Sequence, residues 1–511
     1  MITVLLDKTS RTATFEFIEA DGPQLNEPIN LSLNGKNIGN TSNAVFTLTD
    51  LTPDNKYTLQ VNDVNKVSFR TCSEKAALDI RQFGAVGDGK NNDTSSIQAA
   101  IAACPTGGTI LFPPGIWLSG PIFLKSDITI YFSSGATLLG QFKRKFYPIL
   151  PSCIKQSEDD NLFLGSWEGD PDDCYAALIT GINVNNVGIV GAGLIDGNAA
   201  SGSWWQCPKE KRDARRPRII FLNSCRNILI QGVTVRNSPS WTIHSLFSRN
   251  LRFYGLNIEN PRSSPNTDGL NPECSENVEI VGTRISVGDD CVAIKSGKSY
   301  WGKLLKRPSR NIRIRRCLME YGQGAVVIGS EMACGVYDVE ASYCLFRNTD
   351  RGLRIKTRRG RGKNGVIANI YMHHITMENV PDPLVINCFY NPDPDAINHY
   401  SQIRYALPVD DRTPTVRDIR LEKINATGAL HTACFILGLP EQPIIGLVMR
   451  DIHVSFLSMV QPAPPAVANE IPLLAKAGFV MANVTDPLIE NVTADGVVGP
   501  QFRILEDLNN D

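Results

Sequence analysis

A turn asparagine followed by a short run of alternating apolar residues recurs along most of this chain. NVGIVGAGLIDG begins at Asn186, NILIQGVTVRNS at Asn227, NLRFYGLNIEN at Asn250, NVEIVGTRISVGDD at Asn277 and NIRIRRCLMEYG at Asn311, at intervals of 41, 23, 27 and 34 residues. NIYMHHITMEN and DIRLEKINATG continue the theme. A repeat of this length with strands in every unit is the signature of a solenoid, because one coil cannot bury its apolar face alone and must stack on its neighbours. The expected fold is all-β, a right-handed parallel β-helix over residues 76–511 with little helix. LDIRQFGAVGDGKNNDTSSIQAAIAAC, residues 78–104, starts as a strand and turns through Gly84, Gly87 and Gly89. It then reads as a helix with Asp93 or Thr94 as N-cap, placed to close the open end of the solenoid.

Residues 1–75 read differently. ITVLLD, TATFEF, INLSLNG, AVFTLTDL, YTLQVN and KVSFRT are short strands separated by Asn, Gly, Asp and Pro, the pattern of a small β-sandwich. Within it TDLTPDNKYTLQV, residues 49–61, resembles the fibronectin type III pattern through Leu51, Pro53 and Tyr57. No residue of this region looks catalytic, so a spacer or binding module is expected.

Formal net charge is -1, which excludes a chain that binds polyanions through bulk charge. No apolar run approaches the ~18 residues of a membrane span, and MITVLLDKTS lacks a basic n-region. The chain as written is expected to be cytoplasmic, or periplasmic or secreted if a leader is missing from it. Thirteen cysteines, an odd number without a CxxC pair, point to reduced or buried thiols.

Three aspartates fall where coils turn into strands: Asp268 in NTD, and Asp289 and Asp290 in GDD. Stacked coils lie about 5 Å apart, and the 21 residues between Asp268 and Asp289 approximate one coil, so these two are expected on one face with Asp290 beside them. Arg354 and Lys356 in RGLRIKTRRGRGKNG alternate to a common face of a strand. Three close carboxylates repel and raise at least one pKa, an arrangement suited to glycoside hydrolysis, where one carboxyl stays protonated and another activates water. Turn capping is the plain structural alternative for each aspartate taken singly.

Four motifs in order, NTD (266–268), GDD (288–290), a GxG followed by IGSE (322–331) and RIK (354–356), resemble the polygalacturonases of glycoside hydrolase family 28. The resemblance spans roughly residues 78–500 and includes GAGLIDG with Trp204 and Trp205, and NSPSWTIH at 237–244. It implies inverting hydrolysis of α-1,4-galacturonosyl bonds in an anionic pectic polysaccharide, with no metal and no cofactor. Carried over by motif, Asp289 is the general acid, while Asp268 and Asp290 hold and activate water. Asn266 and Gln323 contact substrate, and Arg354 and Lys356 bind the galacturonate carboxylate. One departure stands out: the family's GHG motif is here Gly322-Gln323-Gly324, and glutamine hydrogen-bonds but does not titrate.

Lys298, Lys303, Lys306, Arg307 and Arg310 in one segment, and Arg358, Arg359, Arg361 and Lys363 in another, are expected to flank the site and attract a polyanionic sugar chain. Trp301 or Tyr300 would stack on a pyranose, and Arg358 would add a contact. Nucleic acid and membrane are not expected partners; the sequence leaves the oligomeric state open. GSEM after the third motif, the RIK context and the N-terminal sandwich look more like bacterial exo-acting members than short endo enzymes. A calcium-dependent pectate lyase, a rhamnogalacturonan hydrolase and a non-catalytic pectin-binding protein remain as alternatives at this stage, the last because of Gln323.

Overall fold

The computed structural model describes residues 2–62, 65–155, 161–393 and 398–505. Its first strands form two small antiparallel sheets. Thr3–Lys8, Ala13–Phe17 and Val45–Leu48 make the first; Gln24–Leu33, Lys36–Asn43, Lys56–Val61 and Asn65–Arg70 make the second. Phe15 stacks on Phe46 at 5.6 Å between ring centres and meets Phe69 edge-on at 5.3 Å, filling the space between the sheets. The Tyr57 hydroxyl accepts the Thr52 N–H at 2.8 Å, tying the corner before the strand at Lys56.

From Ala77 onward most strands run parallel in two large sheets, one of 22 strands and one of 12, with three short antiparallel pairs between residues 149 and 175. The coil turns are set by residues in the left-handed region. Asn186, Asn227, Asn250, Asn277 and Asn311 all have φ between 53° and 57°, a conformation asparagine tolerates better than most side chains. From Asn227 on, each side-chain amide donates to the asparagine one coil below, at 3.0, 2.9, 3.0 and 2.6 Å, and Asn186 donates to Asp127 at 2.8 Å. The repeated asparagines therefore form a continuous ladder that fixes which residue of one coil lies over which residue of the next.

On the 12-stranded sheet, alternate residues point inward. Ile220, Leu222, Ile243, Leu270, Val292, Ile294, Val326, Ile328, Leu353 and Ile355 are at most 1 % exposed and line the solenoid core. The helix Thr94–Ala103 adds Ile97, Ala100 and Ile101 to the same core. Asp93 is its N-cap residue by position, but its carboxylate accepts the backbone N–H groups of Val86 and Gly87 at 2.8 and 3.1 Å rather than one from the helix. No helix among the described residues is long and apolar enough to cross a membrane. All thirteen cysteines are unpaired, and most are buried.

The N-terminal sandwich is docked on the outer face of the larger sheet. Val45 packs with Tyr131, Val190, Leu229, Tyr254 and Val281. A Cβ added at Gly282 would come within 2.3 Å of Val45, so this contact requires glycine there. Thr12 donates to Gln231 at 2.5 Å across the interface. Glu16, 3 % exposed, pairs with Arg315 at 2.9 Å and with Arg316 at 3.1 Å. Removing its carboxylate strands two guanidinium groups. Glu16→Ala is therefore expected to lower stability by about 3 kcal/mol, as removal of one partner of a buried pair does. A thermal or urea melt reads this; an unchanged transition means the pairing contributes nothing to docking.

Candidate active site

The chemistry-bearing side chains sit on the outer face of the 12-stranded sheet, where each coil turns into its strand. Leu270 pairs with Val292, Val292 with Val326, and Val326 with Leu353. The residue two positions earlier in each coil gives the column Asp268, Asp290, Gly324, Arg351, and the backbone agrees. The N–H of Gly269 donates to Asp290 O at 3.0 Å, that of Cys291 to Gly324 O at 2.8 Å and that of Ala325 to Arg351 O at 2.9 Å. The step from Leu270 to Val292 is 22 residues, one more than the Asp268 to Asp289 spacing. Asp290, not Asp289, therefore lies over Asp268, and Asp289 stands over Gln323, whose backbone N–H donates to Asp289 O at 3.1 Å.

Arg354 and Lys356 do project to a common outer face, because Leu353 and Ile355 between them are buried in the core. Both reach back to Asp290: Lys356 Nζ lies 2.9 Å from Oδ2 and Arg354 Nη1 3.3 Å from Oδ1. Asp268, Asp290, Arg354 and Lys356 are nearly inaccessible, Asp289 is half-buried and Gln323 is exposed.

Three groups not singled out from sequence complete the site. Lys295 Nζ is 3.1 Å from Glu331 and 3.9 Å from Asp268, and it lies 4.7 Å from the centre of the Trp241 ring. Asn271 donates to Asp268 Oδ2 at 2.7 Å. Arg216 donates to Asn266 Oδ1 at 2.6 Å and to the carbonyls of Pro239 and Pro265 at 2.8 and 2.9 Å, so it holds the NTD asparagine in place. The strand alternation that places Arg354 and Lys356 outward applies equally to VAIK, and it would have revealed Lys295.

These surroundings drive the three carboxyls apart. Burial pushes Asp289 well above the usual carboxylate range, and the charges of Asp268 and Asp290 add to the shift. Burial also raises Asp268, to about 6, against the opposing pull of Lys295. Burial acts the same way on Asp290, but Lys356 and Arg354 outweigh it and hold this carboxyl below its ordinary value. Two carboxyls adjacent in sequence are thus pushed in opposite directions, as general acid and general base catalysis requires of its two groups.

Other expectations about the site fail on burial. Trp301 is fully buried, meeting Phe163 and Phe247 edge-on at 5.9 and 5.2 Å, and so presents no ring face to a sugar; its neighbour Tyr300 is 52 % exposed. The second basic segment is largely structural. Arg358 is buried against Asp393 at 3.5 Å. Arg359 makes a two-pronged pair with Glu441 at 2.6 and 2.7 Å, and Arg361 pairs with Asp393. Lys298 also reaches Asp393, at 3.4 Å. A turn rich in arginine is here a knot of internal ion pairs, because the loops of the solenoid supply its acids.

The sheet face is covered on both sides of the carboxylates. Toward the N-terminus the outward residues Phe221, Asn223, His244 and Leu246 are at most 4 % exposed. Trp167 stacks on Trp241 at 6.1 Å between ring centres, and Arg218 lies beside both, 5.0 Å from the centre of Trp241 and 5.4 Å from that of Trp167, with Nη2 on Ser166 O at 2.6 Å. Toward the C-terminus Val385, Asn387, Phe435 and Leu437 are equally covered, and Asn387 donates to Val467 O at 3.0 Å. Around the buried carboxylates and cations, Asp289, Arg351 and Tyr390 are partly exposed and Gln323 is exposed, and they border the accessible part of the site.

The family model described as glycosyl hydrolases family 28 matches residues 124–464. A second model, rhamnogalacturonase A/epimerase, pectate lyase-like, matches residues 77–141. A probable polygalacturonase of Vitis vinifera is 32% identical over 75% of this chain and 75% of its own. Among solved structures, an exopolygalacturonase of Thermotoga maritima is 25% identical with a TM-score of 0.62, covering 84% of this chain and 91% of that one. The family 28 exopolygalacturonase of Yersinia enterocolitica, at 18% identity, shares the fold with a TM-score of 0.72 over 99% of this chain and 98% of its own. The extent of the family match, together with the Vitis relative, establishes that the chain belongs to glycoside hydrolase family 28.

Proposed function

We propose that the protein hydrolyses α-1,4-galacturonosidic bonds of polygalacturonate and oligogalacturonides, removing units from a chain end by single displacement with inversion. The observation that carries this reading is the unequal pairing of two adjacent carboxyls: Lys356 at 2.9 Å and Arg354 at 3.3 Å hold Asp290 and lower its pKa, whereas Asp289 has no cation within ion-pairing distance among the described residues and burial raises its pKa. Asp289 gives its proton to the glycosidic oxygen as that bond breaks. Asp290, assisted by Asp268, takes a proton from the water that attacks the anomeric carbon from the opposite face. Arg354 and Lys356 keep Asp290 ionised and offer their remaining donors to the carboxylate of the galacturonate beside the scissile bond. Coverage on both sides of the site supports action at a chain end, since cleavage inside a polymer needs a groove open at both ends.

Defined, de-esterified oligogalacturonides, incubated without metal and resolved by length and ultraviolet absorbance, test the reading. Saturated mono- or digalacturonate is expected from the first time point, with the β-anomer formed first by proton NMR. A ladder of intermediate lengths overturns action at chain ends. Ultraviolet-absorbing unsaturated products identify a lyase instead, and binding without turnover a pectin-binding protein.

Two substitutions test the assigned roles. Asp289→Asn is expected to lower kcat by at least about 10² to 10⁴-fold, the usual contribution of a general acid, with the fold intact by circular dichroism. Gln323→His places a titratable ring beside Asp289. A protonated imidazole favours the ionised carboxyl and so lowers its pKa. The alkaline limb of the pH–rate profile is therefore expected to move to lower pH, and an unmoved profile makes position 323 peripheral to proton transfer.

A further inference from the structure

Strand Arg351–Lys356 carries three cations, and they are not equivalent. Arg354 and Lys356 are both engaged with Asp290. Arg351, at the start of the strand and half-buried at the rim of the accessible part of the site, has no carboxylate within ion-pairing distance among the described residues; its Nε donates to the carbonyl of Pro465 at 3.1 Å. The acids around it are already occupied. Asp382, its partner in the next coil, accepts from His431 at 2.9 Å and from Thr432 at 3.3 Å. Asp350, the preceding residue, faces Arg262 at 3.9 Å. Burying a guanidinium this far without an acid is costly unless it serves a ligand.

The position suits one ligand class. Arg351 stands in the same outward column as Asp268 and Asp290, with Gly324 between, so it lies two coils from Asp290, roughly 10 Å along the solenoid axis. Gly324 puts no side chain in that interval. Successive residues of an α-1,4-linked galacturonan are rotated about the chain axis, so neighbouring carboxylates face different walls of a site. All three cations belong to one strand, Arg351 at its first position beside the turn and Arg354 and Lys356 farther along it. Resting on the function proposed above, we infer that Arg351 binds the carboxylate of the galacturonosyl residue next beyond the one held by Arg354 and Lys356, making this protein favour substrates long enough to reach the rim. The guanidinium fork matches a planar carboxylate in a way an ammonium does not.

Kinetics on di-, tri- and tetragalacturonate with the wild-type protein, Arg351→Met and Arg351→Lys test this. The wild type is expected to gain about 10- to 100-fold in kcat/KM between the shortest substrate it cleaves and the next longer one, the range of a hydrogen bond to a charged group. Arg351→Met loses that gain through KM, so the ratio between successive lengths falls toward one, and Arg351→Lys keeps part of it. A preserved length ratio in Arg351→Met, with kcat/KM lowered alike on every substrate, overturns the inference and makes Arg351 structural. A wild type that cleaves none of these sugars overturns the polygalacturonase reading and this inference with it.

Discussion

Register between coils is the constraint on which the rest depends. A parallel solenoid has no hairpins to set its pairing, and a one-residue slip turns every core side chain outward. Here the slip is prevented at the turns, where left-handed asparagines stack amide on amide from Asn186 to Asn311. Because that ladder fixes each coil over the last, loops of different length can be inserted without disturbing the sheet below. The intervals of 41 and 23 residues before and after Asn227 are the result. The site inherits this rigidity: Asp268 and Asp290 face each other only because Leu270 is held on Val292.

Charge does the remaining work. The aspartates are buried beside one another, an arrangement that is unstable unless the site supplies compensation. Compensation is given unevenly. Asp290 receives two cations, Asp268 receives an amide and a more distant lysine, and Asp289 has no cation within ion-pairing distance among the described residues. Glu331 draws Lys295 closer than Asp268 does, 3.1 against 3.9 Å, so Lys295 steadies the cluster without neutralising Asp268. Unequal pairing, rather than any difference among three identical side chains, sets the three carboxyls apart.

Much of this was legible in the sequence, and the failures have physical reasons. The repeat, the sandwich, the capping helix and the outward pair Arg354 and Lys356 follow from apolar alternation and turn residues, which are local properties. The strand Lys36–Asn43 escapes that reading because it is an exposed edge, written KNIGNTSN with no apolar face. Trp301 and the arginines of TRRGRGK were misread because composition gives a charge or a ring but not its partner. Glu441 and Asp393, which pair with the three arginines Arg358, Arg359 and Arg361, come from distant loops. The pairing of Asp268 with Asp290 turns on a single residue of coil length, which spacing alone does not resolve.

The two glycines between the acid and the cation coils join these threads. Gly324 lies between Asp290 and Arg351 in one column, and Gly329 between Lys295 and Lys356 in another. A Cβ at Gly324 would come to 3.3 Å from Asp290 Oδ1 and 3.5 Å from the Arg354 Cβ, in the space the salt bridge crosses. One at Gly329, where φ is +87°, would meet the Lys356 carbonyl at 2.1 Å. Side chains at these two positions would crowd the path between the two cations and Asp290. With no side chain at these two positions, Arg354 and Lys356 extend back past the coil to Asp290, at 3.3 and 2.9 Å. Gly324, inside the Gly322-Gln323-Gly324 motif, thus meets a steric requirement of this coil that is independent of which residue stands at position 323.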